Sequence, residues 1–157
     1  MKPTDLVAHP EGGRFREVFR SATGVRLPDG RPRAALTHIY FELAAGERSR
    51  FHRVASDEVW NLYDGAGARL FLWREGSATV EEVELSRASG AFCHVVAAGT
   101  WQAAVPVDGR VLVGCSVAPG FEFADFELLG PDDDRARRLL VLRPDLAQLL
   151  GAAQRGA

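Results

Sequence analysis

The chain has 157 residues, 46% of them hydrophobic and 25% charged, with a formal net charge of −2 at pH 7. That length supports one domain with a real core and is too short for two ordinary ones, so residues 1–157 are expected to form a single domain. The near-zero charge gives no general pull toward nucleic acid or anionic lipid, and no nucleic-acid motif or basic stripe is present.

In chain order, the opening MKPTDLVAHPEGG has no apolar signal-peptide core, and no apolar run is long enough to span a bilayer as a helix. A cytoplasmic location is therefore expected. Arg14–Arg20 alternates Arg, Phe, Arg, Glu, Val, Phe, Arg, the pattern of a strand, and 35–43 is rich in β-branched and aromatic residues. Further strands are predicted over 51–54, 58–63, 69–73, 80–85, 91–96, 101–105 and 111–117, with a last extended segment at 121–128. Turn signals such as Pro28-Asp29-Gly30, Asp64-Gly65, Ser89-Gly90 and Pro119-Gly120 separate them. Short strands recurring at roughly ten-residue spacing imply an all-β sandwich or barrel. Helix is predicted only at the end, over 135–142 behind the capping run Pro131-Asp132-Asp133-Asp134, and over 146–150 behind Pro144-Asp145. Residues 151–157 are expected to fray. Cys93 and Cys115 lie in apolar, strand-like runs without metal or redox spacing, and are expected to be buried and reduced.

The most informative stretch is 46–65, GERSRFHRVASDEVWNLYDG, with spacing G-x5-H-x-V-x3-E-x6-G. Glycines bracket two short strands that place His52 and Glu58 where one hairpin can aim both into a cavity. Strand parity puts Val54 inward with His52, and Trp60 and Leu62 inward with Glu58. Gln102 faces inward with Thr100 and Ala104. The expected pocket holds His52, Glu58, Trp60 and Gln102, with His38 or Tyr40 from 35–43. Tyr63 has the wrong parity for it. Arg14, Arg16 and Arg20 share one face of their strand, either gripping an anionic group of a ligand or facing solvent. Trp101 is a packing or stacking residue. Asp57 caps a strand junction, His94 is a core or interface histidine, and His9 belongs to a turn or a dimer contact.

The His52–Glu58 spacing resembles the first motif of the cupin superfamily. GAFCHVVAAGTWQ at 90–102 is similar to its second motif, with Ala97 and Gln102 in the proline and histidine places. Four strings resemble the Cupin_5 (DUF985) branch more specifically: HPEGGRFREVFRS from His9, SRFHRVASDEVW from Ser49, AAGTWQAAV from Ala97 and LVGCSVAPGFEFADFELL from Leu112. They span 9–129. Arg14 and Asn61 depart from this pattern, standing where an aromatic residue and a histidine are expected. The resemblance implies a cupin double-stranded β-helix, a jelly-roll barrel, here with short C-terminal helices. It also implies a homodimer in which the strand at Arg14–Arg20 takes part. Its structural relatives resemble the RmlC-type sugar-nucleotide epimerases.

Three uses of the pocket remain open from the residues. His52, Glu58 and Gln102 could hold a divalent metal ion, although Val54 and Gln102 stand where stronger imidazole ligands would complete a site. The same three could form a hydrogen-bonded cluster within a polar cavity that binds a small molecule without chemistry. Fold analogy suggests a metal-free proton-transfer site, with His52 as base, Glu58 orienting it and Tyr40 as acid. An epimerase or isomerase acting on a carbohydrate or nucleotide sugar is the expected enzyme. A non-catalytic binding module and a metal-dependent cupin are the alternatives.

Overall fold

A computed structural model describes residues 3–151. Thirteen strands occur in the order β1 Val7–Ala8, β2 Arg14–Arg20, β3 Gly24–Arg26, β4 Pro32–Ala34, β5 Thr37–Leu43, β6 Ser49–Arg53, β7 Asp57–Asp64, β8 Gly67–Trp73, β9 Glu81–Ser86, β10 Cys93–Val96, β11 Trp101–Pro106, β12 Val111–Ala118 and β13 Glu127–Leu128. They form a six-stranded sheet, β1-β2-β5-β12-β7-β10, facing a five-stranded sheet, β13-β6-β11-β8-β9, with β3 and β4 as a separate hairpin. All pairings are antiparallel. The two facing sheets are the jelly roll.

Alternation along each strand builds the interior. Phe41, Leu43, Trp60, Leu62, Leu70, Leu72, Val113 and Cys115 point between the sheets and form the main core. Phe51, Trp73 and Trp101 point the other way from the five-stranded sheet. They are fully buried all the same, because helix α1 (Asp134–Leu142) and the 3-10 helix Pro144–Leu149 cover that face. Asp133 caps α1 by accepting from the Arg135 N–H at 2.8 Å. Arg53 and Arg135 lie over the Trp101 ring at 4.7 and 5.0 Å. Trp101 is thus a packing residue outside the barrel, and its burial contributes about 2–3 kcal/mol.

Several elements differ from the sequence reading. The segment 121–128 is not one strand: Phe123–Asp125 turns as a 3-10 helix before β13. The second C-terminal helix is a 3-10 helix begun by Pro144 rather than an α-helix. β1 and the β3–β4 hairpin carry too little apolar alternation to read from sequence. Cys93 is exposed on the edge strand β10, because it stands opposite Asn61 and so shares the outer face of the sheet; Cys115 is buried as expected. The expected frayed tail lies, from residue 152, outside the described residues. No helix among the described residues is long and apolar enough to cross a membrane.

Candidate functional site

His52 enters the barrel from β6, while Glu58 (β7) and Cys115 (β12) enter from the opposite sheet. All three line one cavity of about 80 Å³. The hairpin parity was read correctly, and Gln102 does bond Glu58, but His52 has other partners. His52 Nδ1 lies 2.7 Å from the Arg50 carbonyl oxygen and must carry a proton to bond it. Its Nε2 faces Glu11 Oε2 at 3.1 Å. Glu58 does not orient His52. It accepts from Gln102 Nε2 at 2.6 Å and shares the cavity wall with the Cys115 thiol.

Glu11 reaches this interior from the loop between β1 and β2. Its neighbours Gly12 and Gly13 adopt φ of +111° and +69°, and a Cβ on Gly12 would sit 2.1 Å from the Arg48 carbonyl oxygen. Only glycine lets the loop press this closely. The Glu11 carbonyl then accepts from the Arg50 N–H at 2.7 Å, stitching the loop to β6. Oε1 of Glu11 accepts from the Ser49 hydroxyl at 2.7 Å. Oε2 lies between two imidazoles, 3.1 Å from His52 Nε2 and 3.4 Å from His9 Nδ1. His9 Nδ1 also accepts from the Glu11 backbone N–H, so its proton sits on Nε2. His9, which opens the turn to Gly13 as expected, is therefore also part of the site.

Burial sets the protonation of the cluster. Desolvation raises Glu11 to about 8, against which the Ser49 hydrogen bond is the smaller effect. It lowers His9 to about 3, helped by the neighbouring His52. Burial also lowers His52 and raises Glu58. The Glu11–His52 contact has ion-pair distance, but all these shifts favour neutral forms. It is best described as a neutral hydrogen bond from the Glu11 carboxyl to His52 Nε2. The Cys115 thiol is pushed well above its ordinary value by burial and by Glu58.

Phe15, Ile39, Val54 and Val117 form apolar walls, Phe121, Phe123 and Phe126 add an aromatic side, and Glu17, Arg20, Thr37 and Glu122 complete the lining. Phe126 stacks on His52 with ring centres 5.5 Å apart. This aromatic flap is pinned at two points. Arg33 bonds both oxygens of Asp125 at 2.7 Å, and Arg20 bonds Glu122 at 2.9 Å. Arg20 also holds both oxygens of Glu17 at 2.9 Å.

The structure separates the remaining expected site residues. Tyr40 and His38 lie on the outer face of the six-stranded sheet, not in the cavity. Tyr40 packs beneath the Arg16 guanidinium at 5.6 Å and against Tyr63. His38 bridges Ser116 Oγ at 2.8 Å and Tyr63 Oη at 2.9 Å. Asn61 shares this outer face, bonding the Gly114 carbonyl at 3.2 Å. Arg14 and Arg16 pair with Glu42 and Tyr40 on it too, so neither can reach a ligand in the barrel. A bulge at Val18 shifts the register between Glu17 and Phe19 and turns Arg20 to the cavity mouth. Trp60 and Gln102 are buried behind the cavity wall, not on it. Trp60 Nε1 donates to Gln102 Oε1 at 2.8 Å.

That bond bears on metal binding. An indole N–H is only a donor, so it fixes the Gln102 oxygen on Trp60 and its amide nitrogen on Glu58. A metal beside Glu58 would therefore meet an N–H donor of Gln102 and not a lone pair. Among the described residues no three His, Cys, Asp or Glu side chains are grouped to hold one. The proposed His52, Glu58 and Gln102 set does not fit a divalent ion.

Sequence reasoning missed Glu11, His9, Ser49 and the flap. The available signal was a histidine and a carboxylate directly before two glycines, which marks a backbone forced into close contact.

Comparison with known proteins bears on the whole architecture. A family model described as Cupin superfamily (DUF985) matches residues 1–129. A Shewanella oneidensis protein of known structure is 35% identical, with a TM-score of 0.73 over 93% of this chain and 90% of that one. A hypothetical protein from Leishmania major is 29% identical, with a TM-score of 0.78 over 94% of each chain. A cupin 2 conserved barrel domain protein from Rhodopseudomonas palustris shares the fold at 15% identity, with a TM-score of 0.58 over 94% of this chain and 87% of that one. No match was found among curated proteins. The jelly roll, the four motif strings and the family match agree: the chain belongs to the Cupin_5 (DUF985) family of the cupin superfamily.

Proposed function

We propose that the barrel is the active site of a small-molecule isomerase or epimerase that moves protons at a carbon beside a carbonyl. The observation that carries this reading is the buried contact of Glu11 with His52 on a cavity wall. At neutral pH it couples a protonated carboxyl to a neutral imidazole, an acid and a base in one pair. Glu11 Oε2 can turn its proton from His52 Nε2 to His9 Nδ1, 3.4 Å away, leaving His52 Nε2 bare to take a carbon-bound proton. Glu58, raised by burial and entering from the opposite sheet, supplies a proton to the carbonyl oxygen. Delivery of the His52 proton to the former carbonyl carbon, with Glu58 taking a proton from the other enediol oxygen, completes isomerisation; reprotonation of the original carbon on its opposite face completes epimerisation. Tyr40 has no part in this scheme, so the acid of an RmlC-like reaction is replaced here by a carboxyl.

The cavity also narrows the substrate. At about 80 Å³ it is smaller than the cavity of about 150 Å³ that takes up benzene. A small sugar or hydroxycarbonyl compound fits once the flap yields, and a nucleotide would have to lie outside Arg20. Because Glu17 and Glu122 already hold the Arg20 guanidinium, an uncharged end of the substrate enters first.

The test is solvent deuterium exchange into a panel of small aldoses, ketoses and hydroxycarbonyl compounds, followed by NMR. Exchange by the wild type that disappears in His52→Ala is expected; no exchange into any member of the panel would sink the proposal. One observation favours a non-catalytic binding module instead: His52 and Glu11 are hydrogen-bonded within the protein alone. A compound that raises the melting temperature but is recovered without deuterium would identify that alternative.

A further inference from the structure

A second cleft lies on the other open edge of the sandwich, where β10 ends one sheet and β9 the other. Its volume is about 200 Å³, larger than the barrel cavity, and the two have no lining residue in common. Arg74 and Glu81 reach it from the two sides of the β8–β9 turn, His94 and Val95 from β10, and Thr100 from the start of β11.

The polar groups here are unspent. Thr100 is 6% exposed, and its buried Oγ1 has no hydrogen-bond partner. Among the described residues the side chains of Arg74, Glu81 and His94 make no hydrogen bond or ion pair, although most other arginines are paired with carboxylates. The edge strand adds backbone groups. The Leu62 N–H bonds the Phe92 carbonyl at 2.7 Å, and His94 and Val96 stand opposite Trp60 and Glu58. Alternation of the antiparallel ladder then turns the N–H and C=O of Val95 away from β7, toward the cleft.

We propose that this cleft is a second ligand site, for a small polyhydroxylated oxyanion such as a sugar phosphate. Arg74 provides the charged fork that oxyanions favour. An unmade bond at a buried hydroxyl is costly, and a ligand oxygen at the cleft floor would complete the one at Thr100. Glu81 and the Val95 carbonyl accept from hydroxyl groups, so a bare anion meets repulsion that a hydroxylated one turns into hydrogen bonds. The proposal is independent of chemistry in the barrel.

The test is an amide NMR titration of the isotope-labelled full chain with a triose, a pentose and a hexose phosphate, and separately with inorganic phosphate and glucose. At least one sugar phosphate is expected to shift the Val95 and Thr100 amides saturably, and to bind about tenfold more tightly than phosphate or glucose. Arg74→Gln and the isosteric Thr100→Val should each weaken that binding about tenfold while keeping the native spectrum, and His52→Ala should leave it unchanged. Absence of saturable shifts with every compound overturns the site. So does binding that both cleft variants leave intact, and phosphate binding as tightly as the sugar phosphates overturns its polyhydroxyl part.

Discussion

Two histidine clusters lie on the two sides of the six-stranded sheet. Beneath its inner face His52 and His9 flank Glu11; on its outer face His38 links Ser116 to Tyr63. Both have hydrogen bonds of ordinary length between similar residue types. Inside, desolvation drives Glu11 to about 8 and, together with the neighbouring His52, His9 to about 3. Outside, His38 is lowered by partial burial alone, and no carboxyl belongs to the cluster. Protonation here is set by the side of the sheet, not by the histidine.

Exchange kinetics offer the largest test of that contrast. His52→Ala and Glu11→Gln should each slow deuterium exchange by about 10²–10⁴-fold, the usual worth of a positioned acid or base. His38→Asn and Tyr40→Phe should change it less than about twofold, because neither side chain reaches the cavity. A Tyr40→Phe loss as large as that of His52→Ala would break the comparison.

Stability against pH comes next in size. Glu11 has a folded pKa of about 8 against 4.5 for the free group, so its contribution is full below pH 4.5 and is lost as pH rises through 8. His9 has a folded pKa of about 3 against 6.5, so its contribution is full above pH 6.5 and is lost as pH falls through 3. The two slopes oppose each other between pH 4.5 and 6.5, and a plateau is expected there. Above it stability should fall by up to about 1.4 kcal/mol per pH unit as Glu11 deprotonates. Urea denaturation across pH 4 to 9 checks this, and Glu11→Gln should flatten the alkaline limb. An unchanged limb would show that Glu11 titrates normally and that the inner cluster is not dry.

Much of the fold was legible in the sequence, and less of the site. Alternation and glycine turns located nearly every long strand, because one face of each must be apolar. The hairpin around His52 and Glu58 could be oriented for the same reason. Parity within 35–43 was the failure: Thr37, Ile39 and Phe41 point inward and His38 and Tyr40 outward, and the polar residues were read as site residues when they face away from it. Glu11 was invisible for a different reason. Its place depends on how a loop packs onto β6, a long-range contact that no local period encodes. The bulge at Val18 likewise separates Arg20 from Arg14 and Arg16 without a mark in the alternation.

The smallest expected effects test the outer face. Tyr63 lies over Gly114, where a Cβ would come within 2.3 Å of its ring. Gly114→Ala should displace Tyr63 from His38 and cost about 1–3 kcal/mol through overpacking. Tyr63→Phe keeps the ring and removes only the hydroxyl that meets His38 Nε2. Tyr63 is 43% exposed, so water can replace that bond, and the loss should be no more than about 0.5 kcal/mol. A Tyr63→Phe penalty as large as that of Gly114→Ala would mean that the hydroxyl, not the ring, holds the outer cluster. The outer face would then be drier than its exposure indicates, and the contrast with the barrel would narrow from that side.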